Sequence, residues 1–271
     1  MPRRHPQNPK PQKRPAGPWR HGPIPVIGVV GGIGSGKSAA AAAFAELGAF
    51  VLDADKVGHA LLDQSPCREI VVEVFGEGVL APFTVEGERR PIDRKALGTL
   101  VFADPFLLGR LEDILHPAMR RTFERAIERQ VRRGQDTAIV LDAAILYEAE
   151  WDDLCDLVVF VDAPVEARLA RLAAGRGWTA ETLASREKAQ GPLAEKRDEA
   201  QHVLVNDATP DDLQAAARAL WPELLKPVPR PRRAPAAAAD AEPARPANGP
   251  GEGGEAAARS RPRAGPRGRS S

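Results

Sequence analysis

Short apolar runs recur along residues 23–225, each followed by a stretch whose apolar positions return at helical spacing. "VIGVV" (26–30) is continuous and β-branched, which predicts a strand buried on both faces. A helix is expected from about Lys37, where alanines carry Phe44 and Leu47 on one side. "AFVLDAD" (49–55) reads as a second strand ending in two carboxylates, and 56–75 as a helix with Val57, Leu61 and Leu62 on one face. A glycine- and proline-punctuated loop or hairpin follows, and then a long helical pattern over 93–133. "TAIVLDAAIL" (137–146), "DLVVFVDA" (156–163) and "HVLVND" (202–207) complete five strands. Helices separate them, and a last one is capped by Thr209 with Pro210 in its first turn.

Five apolar strands alternating with helices predict an α/β fold: a parallel five-stranded sheet with helices on both faces. The 93–133 block breaks the alternation, so a helical insertion is expected, over about 56–133 with the helix before it. His116 is followed by Pro117, which suggests a helix boundary there and a packing role for the histidine.

Charge divides the chain further. Residues 1–22 carry six Lys/Arg and no acids, and 226–271 carry ten Lys/Arg against four acids. The 23–225 core is acidic, with 22 basic and 33 acidic residues. Both tails are Pro-rich and almost without large apolar residues, so disorder is expected of them. An acidic core predicts no nucleic-acid site on the folded domain; only the basic tails would attract a polyanion. No run of about 18 apolar residues suggests a membrane span. Cys67 and Cys155 fit no metal spacing and read as core residues in a reducing, cytoplasmic setting.

The chemistry begins at "GGIGSGKS" (31–38), which matches G-x-x-x-x-G-K-[ST] between a strand and a helix. Gly31, Gly32, Gly34 and Gly36 permit backbone angles other residues resist. Amides over Gly32, Ile33, Gly34, Ser35, Gly36, Lys37, Ser38 and Ala39 can then converge on the phosphates of ATP, aided by the helix dipole. Lys37 is expected to reach the β- and γ-phosphates, and Ser38 to offer its hydroxyl to Mg²⁺. There is no N-K-x-D guanine reader, and a core this small suits a small-molecule kinase. Asp53 and Asp55 fall at the C-terminal end of the second strand, where ligands of parallel sheets bind. One of them can serve as general base toward an acceptor hydroxyl, and the other can cap the next helix.

Together "GGIGSGKS", "FVLDAD", "LVFADP", "LEDILHP", "LDAAILYE", "VVFVDAP" and "AQGPLAEKRDEA" resemble dephospho-coenzyme A kinases over roughly residues 26–222. The resemblance implies transfer of the γ-phosphoryl group of ATP to the ribose 3′-hydroxyl of dephospho-CoA, by an α/β core of the P-loop NTPase type with a helical CoA domain and a lid over about 165–200; a monomer is expected. It implies Asp55 as catalytic base, Lys37 and Ser38 as the loop pair, Arg171 as a lid arginine on phosphate, and Asn206 near the adenine. Arg168, Arg176 and Arg186 are nearby candidates for the same phosphate contact but read first as solvated helix charges, and Asp142 reads as structural or acting on Mg²⁺ through water. Val30, Ala39 and Ala143-Ala144 stand where the family commonly has Thr, Thr and Ile-Pro. Another P-loop nucleoside or nucleotide kinase is the alternative.

Overall fold

The computed structural model describes residues 17–82, 89–188 and 190–227. The expected disorder of the tails concerns residues 1–16 and 228–271, which lie outside these. Residues 17–22, expected in the disordered head, instead lie on the core. Trp19 packs against buried side chains there, the Arg20 N–H donates to Asp156 at 2.9 Å, and His21 Nε2 lies 2.8 Å from the Leu154 carbonyl.

Five strands form one sheet: β1 Val26–Gly31, β2 Ala49–Asp53, β3 Ala138–Asp142, β4 Leu157–Asp162 and β5 His202–Val205. Their order is β2-β3-β1-β4-β5, and every pair is parallel, as the apolar strands predict. Side chains alternate across β1. Ile27 and Val29 face α1 (Lys37–Glu46) and α9 (Pro210–Leu224), where Phe44 stacks on Trp221 at 5.4 Å. Val26 and Val30 face α5 (Pro105–Arg133). Gly28 shares that second face, and a Cβ there would come within 2.6 Å of Leu146, so the glycine lets the layers approach.

The expected insertion contains α2 (Ala54–Leu62), α3 (Cys67–Phe75), α4 (Arg94–Ala103) and α5. The single helix predicted over 56–75 is divided before Pro66, which has no N–H to continue α2. Between α3 and α4, Leu80 and Ile92 form one antiparallel bridge. Leu62, Val71, Val79, Ile92, Leu97 and Val101 make a separate small core. The first half of α5 packs on this core through Leu107, Leu111 and Ile114, and the second half packs on the sheet through Phe123 and Ile127. Pro117 lies between the halves, inside the helix, and corrects the boundary expected there. Burial on both sides of the proline outweighs one lost backbone hydrogen bond. His116 rests edge-on against Trp151 at 5.2 Å, in the packing role expected of it.

The predicted lid segment is three helices: α6 (Val165–Arg176), α7 (Ala180–Lys188) and α8 (Leu193–Glu199). Among the described residues, no helix is long and apolar enough to cross a membrane.

Candidate active site

Sheet order places the chemistry. β1 lies between β3 and β4, so the chain leaves it at the crevice where strand order reverses. Asp53 and Asp142 end neighbouring strands in register with each other, beside the exit of β1.

The loop after β1 needs its glycines for identifiable reasons. Gly36 caps α1 with φ 94°, and a Cβ there would fall 2.2 Å from Asn206 Nδ2. Gly32 meets a different limit, since a Cβ would touch the Arg168 guanidinium at 2.7 Å. The first turn of α1 contains no acid, so its amides keep their full attraction for an anion. Lys37 folds back over the loop and donates to the carbonyls of Gly31 and Gly32, both at 3.0 Å. Burial lowers its pKa, while Asp142 and Asp55 act in the opposite sense. A polyanion in the loop would restore the charge that burial disfavours.

Ser38 donates from Oγ to Asp142 Oδ2 at 2.8 Å. Burial pushes the Asp142 carboxyl above the usual range, although Ser38 and Lys37 favour its ionised form. This pairing shows what the sequence left open: Asp142 is the loop serine's partner, supplied from the adjacent strand. A hydroxyl and a carboxylate side by side are hard oxygen donors, the set that holds Mg²⁺ together with phosphate oxygens. Among the described residues, no group of three or more His, Cys, Asp or Glu could hold a metal without such help.

The two candidate carboxylates part company. The second strand stops at Asp53, so Asp55 does not share a strand face with it; Asp55 lies exposed in the first turn of α2. Asp53 caps that helix, accepting from the Lys56 N–H at 2.9 Å, and pairs with the Lys56 ammonium at 3.0 Å. Partial burial would raise the Asp53 pKa, but the Lys56 contacts hold it below the usual range. Asp55 is thus the carboxylate not used in the cap, and its charge reaches both Lys37 and Asp142.

The outer rim of the loop rests on α6 and Asn206. Asn206 is 6% exposed and donates from Nδ2 to the Ser35 carbonyl at 2.7 Å. Arg171 donates to the Asn206 carbonyl at 3.0 Å and Oδ1 at 3.3 Å, and approaches the carbonyls of Gly34 and Ser35 at 3.4 and 3.5 Å. Both residues brace the loop from the side its carbonyls face. Arg168, read from sequence as a solvated charge, is 7% exposed. It donates to the carbonyls of Ala163 and Ile33, both at 3.2 Å, and pairs with Glu187. The signal was present, since 168, 171 and 172 share one helix face, but the sequence does not say what that face meets. Lys196 was missed altogether. It is 5% exposed, donates to the Ala144 carbonyl at 3.1 Å and pairs with Glu148 at 2.5 Å. Ser35 Oγ is buried without a partner among the described residues, beside a cavity of about 140 Å³ that Arg168 and Arg197 also line.

The expected departures are placed too. Val30 is fully buried in the sheet–α5 core, Ala39 is exposed on α1, and Ala143 is buried.

The chain has clear relatives among known proteins. The dephospho-CoA kinase family model matches residues 25–212. A dephospho-CoA kinase of Symbiobacterium thermophilum is 41% identical over 197 residues, covering 72% of this chain and 80% of that protein. One from Thermobifida fusca is 37% identical, with 74% and 96% covered. Among solved structures, the Thermus thermophilus protein TT1252 is 35% identical with a TM-score of 0.61, covering 74% of this chain and 98% of that one. The dephospho-CoA kinase of Campylobacter jejuni, 23% identical with a TM-score of 0.55 over 73% of this chain and 96% of that one, shares the fold.

Proposed function

The chain belongs to the dephospho-CoA kinase family and catalyses that family's ATP-dependent reaction, and we propose that Lys37, Ser38, Asp142 and Asp55 carry it out at the mouth of the glycine loop. The observation that carries this reading is the Ser38–Asp142 pair beside Lys37, with Asp55 two residues past the end of the neighbouring strand. Loop amides from Gly32 to Ala39 bind the triphosphate, and Lys37 exchanges its loop carbonyls for phosphate oxygens. Ser38 and Asp142 would hold Mg²⁺, which neutralises charge on the phosphates when bound.

Asp55 accepts the proton of the ribose 3′-hydroxyl as that oxygen attacks the γ-phosphorus and ADP leaves. Its exposure suits a base that must meet an arriving substrate. Arg171 and Asn206 keep the loop's carbonyls turned outward and so its amides inward, on the side where the adenine lies. Helices α6 to α8 act as the lid, limiting water at the phosphoryl group. The insertion of α2 to α5 receives dephospho-CoA. Incubating the protein with Mg-ATP and dephospho-CoA, beside a panel of nucleosides, tests this. A product one phosphoryl group heavier than dephospho-CoA, with no nucleoside turnover, is expected; selective phosphorylation of a nucleoside overturns the acceptor.

A further inference from the structure

Helix α7 touches both substrate-bearing parts of the enzyme through two consecutive residues. Glu187 turns toward the loop, where it pairs with Arg168, whose NH1 also donates to the Ile33 carbonyl at 3.2 Å. The side chains of that pair are 8% and 18% exposed. Arg186 turns the other way. Its guanidinium lies 4.7 Å from the Phe102 ring centroid at the end of α4 and 5.1 Å from the Trp178 ring. Arg176 lies over the same Trp178 ring at 5.5 Å. Neighbouring residues on a helix project about 100° apart, so one short helix can reach two surfaces.

The two contacts differ in strength. The Glu187–Arg168 pair is nearly enclosed and hydrogen-bonded to the loop, so it is persistent. The Phe102 contact is exposed: that ring is 64% accessible although it is large and apolar. A cation over an exposed ring is held weakly. Weak on one side and firm on the other, α7 would part from the insertion before it parted from the loop.

We propose that α7 couples the two substrate sites: dephospho-CoA on the insertion and ATP in the loop tighten each other's binding through Arg186 and Glu187. This rests on the acceptor assignment above. An acceptor that orders the end of α4 presents Phe102 to Arg186 and fixes α7. Glu187 then keeps Arg168 on the Ile33 carbonyl, in the loop shape that receives phosphate. Linkage requires the reverse effect to be equal. Arg186 and Glu187 are positioning residues in this scheme, and α7 closes over a filled site in preference to a half-filled one.

The test titrates the full chain with a non-hydrolysable ATP analogue and Mg²⁺ in a calorimeter, with and without saturating dephospho-CoA, whose own binding is measured first. In the wild type the analogue is expected to bind on the order of tenfold tighter with dephospho-CoA present, and dephospho-CoA tighter by the same factor with the analogue. Arg186→Ala, Phe102→Ala and Glu187→Gln each reduce that factor to below about twofold, and the Arg186→Ala/Phe102→Ala pair reduces it no further than either alone. Arg186→Lys restores part of it. Phe106→Ala, altering a ring 72% exposed nearby, leaves it unchanged. Unaltered thermal midpoints for Arg186→Ala and Phe102→Ala separate loss of coupling from loss of fold. Wild type that binds both ligands without coupling, or Arg186→Ala that retains it, overturns the inference alone. Wild type that does not bind dephospho-CoA overturns the functional reading as well.

Discussion

On the function proposed above, the glycine loop and the α2–α5 insertion hold their ligands in opposite ways. The loop uses backbone: Gly36 holds a φ of 94°, Asn206 and Arg171 fasten the carbonyls outward, and few side chains fit. The insertion uses a small apolar core of its own, Leu62, Val71, Val79, Ile92, Leu97 and Val101, and leaves Phe102 and Phe106 in solvent. A cradle of amides suits a ligand whose charges are the same in every turnover. A helical platform suits a larger acceptor recognised by its outline. The difference teaches that the loop is shaped by polar contacts to its own carbonyls, whereas the insertion is shaped by apolar packing.

The sharpest test of that contrast lies on the boundary, at two carboxylates two positions apart. Asp55→Asn should lower turnover by about 10²–10⁴-fold while the affinity for ATP stays near the wild-type value. Asp53→Ala should instead act on stability, by about 0.5–2 kcal/mol through the α2 cap, in thermal or urea unfolding. Turnover near normal in Asp55→Asn removes it from the mechanism.

Next comes Leu97→Ala, which opens a cavity in the insertion's core and should cost about 2–5 kcal/mol. Because that core is separate from those of the sheet, KM for dephospho-CoA should rise while ATP binding measured without dephospho-CoA is unaffected. Equal losses at both sites would mean the two regions are one cooperative unit.

Gly36→Ala attacks the loop. Its left-handed φ and the 2.2 Å approach of Asn206 Nδ2 predict strain of about 1–3 kcal/mol, read as weaker ATP binding. Gly78→Ala, in the insertion with nothing within 4 Å of the added methyl, should leave both substrates' binding unchanged.

The smallest effect is on pH dependence. Burial beside Trp151 holds the His116 imidazole below its ordinary range, against the pull of Glu112 and Asp113. The folded state therefore disfavours the proton. This contribution to stability is complete above the ordinary histidine value of about 6.5 and is lost as pH falls through the lowered folded value. His116→Gln should flatten the slope of stability below neutral pH, measured by urea unfolding across that range.

Elements set by neighbours along the chain could be read directly. The five apolar strands, the glycine loop and the Thr209 cap with Pro210 all stand where their residues imply. Backbone freedom at glycine, a hydroxyl cap and β-branched burial are properties of a few adjacent residues, and sequence states them openly.

What only the tertiary structure decided were partners far apart in the chain. Arg168 is buried because the loop and Glu187 meet it, and Ser38 finds Asp142 across 104 positions. Lys196 is charged yet enclosed because Glu148 and the Ala144 carbonyl face it. Pro117 stays within a helix because two separate cores grip that helix on either side. A side chain's identity fixes what it can bond, but the cost of burying a charge or losing a backbone bond is settled by what packs opposite, and that is written elsewhere in the chain.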